Sequence, residues 1–277
     1  MAGDSHSKPS AEAVATGVLF VATGLFGVTY GARTWLPPVA SRHGAGIDAM
    51  LLYLLLTVGT LFFVGHIALG ILIWRAAARG RVTRRMASGK TEWRLSTSLG
   101  VLTALIAEAG VLAIGIPVWQ QYYVPTPPPD AVTVEVTGQQ FMWNIRYPGD
   151  DGTFGRTDVT LVDDTSNPLG IDPADPAGAD DLVTTNEMAV PVDRPIRLRL
   201  RSKDVIHSFF LPHLRVKQDA VPGMTPEVQF VPTREGDFEI ACTELCGLGH
   251  YRMQGVLRVM TDAGYRQWLA DQRAAGF

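Results

Sequence analysis

Apolar residues crowd the first half of the chain and thin out to every second position in the rest. Three runs are almost wholly apolar: residues 14–30 (VATGVLFVATGLFGVTY), 49–74 (AMLLYLLLTVGTLFFVGHIALGILIW) and 95–118 (LSTSLGVLTALIAEAGVLAIGIPV). The last two are long enough to cross a hydrocarbon core about 30 Å thick; the first lies at the lower limit. From residue 131 the period becomes two. AVTVEVTG (131–138), RPIRLRLR (194–201), EVQFVP (227–232), FEIAC (238–242) and GVLRVM (255–260) alternate or run apolar over strand lengths, separated by turn residues. Short strands joined by turns predict a β-sandwich or small barrel. Residues 261–276 read as one closing helix, with Thr261 or Asp262 as its N-cap.

The pattern divides the chain into residues 1–48 (leader, first apolar segment and short loop), a transmembrane helical hairpin over 49–123, a stiff proline spacer at 124–130 (VPTPPPD) and a globular head over 131–277. Tryptophans close both long spans, Trp74 and Trp119, as interfacial anchoring favours. Residues 75–94 carry seven basic residues against one acid, Glu92. That loop belongs in the cytoplasm, so the head lies outside, in contact with membrane lipid through its anchor. The leader MAGDSHSKPSAEA is only weakly basic and no clean cleavage site follows, which favours a retained helix at 14–30 over an export signal. The expectation is two to three transmembrane helices.

Charge changes the picture in two places. A net charge of -3 and a pI near 6.1 exclude a nucleic-acid partner. Residues 149–187 hold ten acids against one base, Arg156. They read as a solvated loop, with a negative docking surface as the functional alternative.

Both cysteines fall in CTELCGLGHYRMQG (242–255). A Cys242–Cys246 disulfide would close a very small loop and leave His250 and Met253 unexplained. Zinc suits two thiolates and two imidazoles, but thioether is a poor zinc ligand. Thiolate, imidazole and thioether together suit copper, and a mononuclear site needs one cysteine. The second thiol points to two bridged metal ions and calls for another histidine. Of the six, His6 lies in the leader, His43 in the short loop, His66 in a span, and His213 after a proline. His207, in KDVIHSFFLP (203–212), sits in a strand-like run and is the choice.

DVIHSFFLP, VKQDAVPGM and CTELCGLGHYRM, in that order and spacing, resemble the head of subunit II of haem–copper cytochrome c oxidases. The resemblance covers roughly residues 45–277. It implies an α-helical anchor plus an all-β cupredoxin-like Greek-key sandwich with a C-terminal helix. It also implies a dinuclear copper A centre, two copper ions held by His207, Cys242, Cys246, His250, Met253 and the backbone carbonyl of Glu244. The Glu244 side chain would reach a magnesium ion at the border with subunit I, and a hard carboxylate suits that ion. Cytochrome c is the implied donor, subunits I and III the implied partners, and a bacterial-type plasma membrane with a periplasmic head the implied location. The activity is that of a cytochrome c oxidase: electrons pass to haem in subunit I, where oxygen is reduced to water with proton pumping. No oxygen site lies in this chain. Two departures matter. Where the family reads Gly-His-Gln-Trp-x-Trp at its electron-receiving stretch, this chain reads GQQFMWNIRYPG, with Phe141 at the receiving position and Trp143 retained. Glu92 matches a glutamate at proton uptake, but the Trp-Thr-x-x-Pro after it is absent. Glu108 and His66 suggest packing against a partner subunit, and Asp204 a surface or supporting acid. The rivals are a copper A subunit of a nitric or nitrous oxide reductase and a non-catalytic tethered copper-binding protein.

Overall fold

The computed structural model describes residues 11–34, 36–78, 89–123 and 128–275. Half of the basic loop, the start of the proline spacer and His6 lie outside the described residues. The chain forms two units, Met1–Pro37 with Ala49–Ala113, and Pro38–Asp48 with Ile114–Phe277.

The first unit is helical. Helix α1 runs Ala11–Thr34, α2 Gly44–Ala78 and α3 Gly89–Gly110. Among the described residues two stretches, Gly44–Ala68 and Gly89–Tyr123, are long and apolar enough to cross a membrane, whereas the apolar part of α1 is the shorter Gly17–Gly31. The Tyr53 hydroxyl donates to the Ile106 carbonyl. A side chain at Gly110 would collide with the Tyr53 ring, so glycine is what lets α2 and α3 meet there. After Gly110 the chain makes a π turn, Val111–Gly115, before α4, Ile116–Tyr123. Pro117 has no N–H to give, and its ring would press on the carbonyl a turn earlier; the widened turn takes up that misfit. His66 Nδ1 lies 2.8 Å from the Phe62 carbonyl one turn back, while Glu92 and Glu108 are exposed on α3.

The second unit contains the expected sandwich. Its strands are β1 (Val132–Gln139), β2 (Met142–Tyr147), β3 (Leu182–Thr185), β4 (Glu187–Pro191), β5 (Ile196–Ser202), β6 (His207–Leu211), β7 (Val216–Ala220), β8 (Glu227–Phe230), β9 (Gly236–Cys242) and β10 (Gln254–Met260). They form two five-stranded sheets, ordered β3-β2-β1-β5-β8 and β4-β10-β9-β6-β7. The β1–β5 and β4–β10 pairs are parallel. The five expected strands are β1, β5, β8, β9 and β10. Period two works as predicted on β5, where Ile196, Leu198 and Leu200 face the core and Arg197, Arg199 and Arg201 the other side. Helix α5 (Asp262–Ala274) closes the chain, and Thr261 Oγ accepts from the Gly264 N–H at 3.1 Å as its cap.

The short segment before α2 packs with this unit. The Ala40 N–H donates to the His213 carbonyl at 2.7 Å and the Ser41 hydroxyl to the Leu214 carbonyl at 2.6 Å. Arg215 forks onto Asp48 through bonds of 2.8 and 3.0 Å.

The acidic stretch is built, not merely solvated. It covers the outer face of the first sheet, burying Glu135, Thr137 and Arg146. Its acids are engaged from within. Asp181 pairs with Arg146, Asp164 with Lys203, Asp172 and Asp175 with Arg156, and Asp150 with Arg273. Asp151, Asp158 and Asp163 accept N–H bonds from residues two ahead, and Asp180 accepts from the Asp150 N–H. Glu187 accepts from Trp268 Nε1. Backbone N–H bonds hold the carboxyls of Asp158, Asp163 and Asp175 below the ordinary range. A depressed carboxyl stabilises the fold above its unfolded pKa of about 3.9 and loses that contribution as pH falls through the folded value. Hydrogen exchange, corrected for intrinsic rates, should show protection across 150–181 at pH 5 that collapses below about pH 4. Protection that persists at pH 2 would contradict it.

Candidate metal centre

The site assembles where β6 and β9 of the second sheet run side by side. Phe209 pairs with Cys242, which places His207, at the start of β6, near the end of β9. The loop after Cys242 is held at its base: the Cys242 N–H donates to the Met253 carbonyl at 3.2 Å, closing the loop on its far end, and the Thr243 N–H to the Ser208 carbonyl of β6 at 3.0 Å. Gly247 allows the reversal, with φ at +134°. A 3-10 turn at His250–Arg252 then brings His250 and Met253 back beside Cys246.

Five of the expected ligands converge by side chain and the sixth by its carbonyl. The sulfurs of Cys242 and Cys246 are 3.9 Å apart and not bonded to each other. Cys242 Sγ lies 4.0 Å from His207 Nδ1 and 3.3 Å from the Glu244 carbonyl oxygen. Cys246 Sγ lies 3.6 Å from His250 Nδ1 and 3.7 Å from Met253 Sδ. Each sulfur thus has its own imidazole and one further weak donor. Donors sharing an ion through bonds of about 2.0–2.3 Å stand up to roughly 4 Å apart, so this spacing fits a metal centre. The soft set of two thiols, two imidazoles and a thioether suits copper. His213 is elsewhere, its ring against Phe238, and His43 packs on Tyr122.

Burial, and after it the Cys242 sulfur, pushes the Cys246 thiol up to about 11. A metal must therefore displace a proton to bind there, and loading weakens in acid. His207 is fully buried, and Asp204 Oδ1 stands 2.8 Å from its Nε2, leaving Nδ1 toward Cys242. A carboxylate on the far nitrogen fixes the tautomer and ring plane of a ligand histidine. Burial acts to raise the Asp204 carboxyl, but bonds from the Gln140 N–H, His207 and the Val205 N–H hold it below its usual range. The Glu244 carboxylate is exposed.

Phe141 and Trp143 separate. Trp143 is completely buried, its ring edge-on to His207 at 5.9 Å and to Phe209 at 5.2 Å. Phe141 is half-buried over the ligand loop, where a side chain at Gly249 would run into its ring. The loop tip is apolar and open: Leu245, Leu248 and Tyr251 are 80, 99 and 82% exposed. Sequence reasoning gave Gln140 no role. The one local sign was the glycine on either side of Leu248, which leaves room for whatever packs there.

A family model described as "Cytochrome C oxidase subunit II, periplasmic domain" matches residues 132–260. The alternative cytochrome c oxidase subunit 2 of Bradyrhizobium diazoefficiens is 41% identical over 185 residues, 66% of this chain and 64% of that one. Cytochrome c oxidase subunit 2 of Cereibacter sphaeroides is 35% identical over 154 residues, 53% of this chain and 51% of that one. The match thus spans between about half and two thirds of these relatives' length. Among solved structures, the periplasmic domain of subunit II of Bradyrhizobium japonicum cytochrome oxidase is 33% identical. The likeness covers 54% of this chain and 99% of that one, with a TM-score of 0.40.

Proposed function

We propose that this chain, whose residues 132–260 match the cytochrome c oxidase subunit II family, is a member of that family and the electron-accepting subunit of a haem–copper oxidase. Its head receives electrons from cytochrome c outside the membrane and passes them to haem in subunit I, where oxygen is reduced to water with proton pumping. Subunits I and III are its partners, and the two apolar spans are its anchor. The observation that carries this reading is the pairing in the ligand loop: two sulfurs 3.9 Å apart, each with a separate imidazole at 4.0 or 3.6 Å. One ion has no need of two such half-sites.

Two copper ions bound there supply a one-electron relay whose charge is shared across the pair. Cys242, Cys246, His207, His250, Met253 and the Glu244 carbonyl would hold them. Asp204 keeps His207 in the tautomer with Nδ1 free. Burial of both cysteines and of Met253 excludes water, so little around the relay need reorganise when an electron arrives. The exposed Glu244 carboxylate would hold a magnesium ion at the border with subunit I, and Glu92 would open a proton path. The experiment is electron paramagnetic resonance on the copper-loaded full chain. An unpaired electron split equally by two copper nuclei supports the relay; splitting by one nucleus overturns it in favour of a tethered mononuclear copper protein.

Phe141 and the open loop tip together define where the donor sits. Leu248 is the side chain most open to it, one residue from Gly249 under the Phe141 ring. Leu248→Glu should raise KM for cytochrome c about tenfold, since an apolar contact is replaced by a charge that must be desolvated. Its copper spectrum should stay that of wild type. An unchanged KM in a steady-state assay would remove Leu248 from the docking face.

A further inference from the structure

Gln140 sits in the turn between β1 and β2, outside every ligand segment, yet it bonds to both halves of the site. Its backbone N–H donates to Asp204 Oδ2 at 2.7 Å, and Asp204 in turn holds His207. Its side-chain Nε2 donates to the Cys246 carbonyl at 2.5 Å. The loop makes room for that amide. A Cβ on Gly247 would stand 2.7 Å from Gln140 Nε2 and 3.2 Å from the Phe141 ring. Gly247 is thus required twice, for its positive φ and for this approach. The ring of the next residue, Phe141, then lies over Gly249.

We infer that Gln140 is a positioning residue that straps the Cys246 loop to the His207 arm, setting the separation of the two half-sites before any metal arrives. The inference rests on reading the loop as a metal site. His207 is carried by β6 and Cys246 by the loop after β9, and the strands meet only through Phe209 and Phe210 opposite Cys242 and Ala241. Beyond Cys242, one backbone bond, from the Thr243 N–H to the Ser208 carbonyl, holds the start of the loop to β6, and the loop's other backbone bonds run within itself. Gln140 supplies the missing tie at mid-loop, next to the bridging thiol. A loop without it has the same ligands but not their spacing.

The decisive variant is Gln140→Glu, which keeps the side chain's size and the backbone bond to Asp204 but sets a carboxylate oxygen against the Cys246 carbonyl. In the full chain in detergent, copper should be lost to EDTA about tenfold faster than from wild type, the lower end of what a group supporting a ligand contributes. Without metal, Cys242 and Cys246 should react faster with a thiol-labelling disulfide reagent, while the far-UV unfolding midpoint stays with wild type. Gln140→Lys, which keeps an N–H donor at comparable reach, should restore slow copper loss and slow labelling. Equal copper loss and equal labelling in wild type and Gln140→Glu would overturn the inference. So would a midpoint that falls in step with labelling, which would make Gln140 a general structural residue. A wild-type chain that takes up no copper would refute the metal reading instead, and thiol labelling would still decide the strap.

Discussion

Cys246→Ser should abolish cytochrome c oxidation by the assembled complex and replace the two-nucleus copper spectrum with that of one ion or none. Cys246 is the hub of its half-site: His250 Nδ1 is 3.6 Å from its sulfur and Met253 Sδ 3.7 Å. A serine hydroxyl is a hard, poorly acidic donor that does not replace a bridging thiolate for copper. His207, Cys242 and the Glu244 carbonyl would remain, enough for one ion and no more. The sandwich itself should hold, because the loop ends stay bonded through Cys242 and Met253. A variant that kept the two-nucleus spectrum would show that the two sulfurs do not share the metal ions, and the dinuclear reading would fail.

The second large effect concerns stability. Arg146→Ala should destabilise the head by about 3–5 kcal/mol, the range for removing one partner of a buried ion pair. The Arg146 side chain is 1% exposed and that of Asp181 0%. The guanidinium also donates to the Gly155 carbonyl at 2.7 Å, faces Glu135 at 3.6 Å and lies over the Phe154 ring at 5.2 Å. Without it, Asp181 is a charge sealed from water with only the Gly155 N–H to bond it at 3.0 Å. Arg146→Met combined with Asp181→Leu should recover much of the loss, since removing both charges is far less costly than orphaning one. Chemical denaturation of the three proteins checks this; a single variant as stable as wild type would mean that water reaches Asp181.

These two residues show how unevenly the sequence reveals the molecule. The metal loop is legible because five of its six expected donors, all but His207, lie within twelve positions, and the chemistry of the set narrows the metal by itself. β5 is legible because its arginines and its apolar residues alternate without a break. Arg146 is the opposite case. An arginine in MWNIRY reads as surface, and nothing local says that a stretch of acids will fold over it, so β2 and the edge strand β3 went unread. The same covering buries Glu135, on the face of β1 that period two marks as solvent-facing. Asp204 is three residues from His207, a separation without meaning until the turn at Ser202–Ile206 folds it under the ring. Gln140 is 106 positions from the carbonyl it holds, beyond the reach of any local pattern.

Pro38–Asp48 has a consequence for how the head is completed during synthesis. Ser41 precedes its partner Leu214 by 173 residues, and Arg42 and Ala40 bond to Val231 and Thr233 later still. The first piece of the head is therefore made before most of α2 and all of α3, and the residues that receive it, after β6 and after β8, follow much later. Such a distant closure is slow and cannot begin until the chain beyond β6 has been made. Until then the Ala40 and Arg42 N–H groups have only water to bond. A fragment cut in the proline spacer would lack it altogether, leaving the His213 and Leu214 carbonyls without the donors they have in the whole chain.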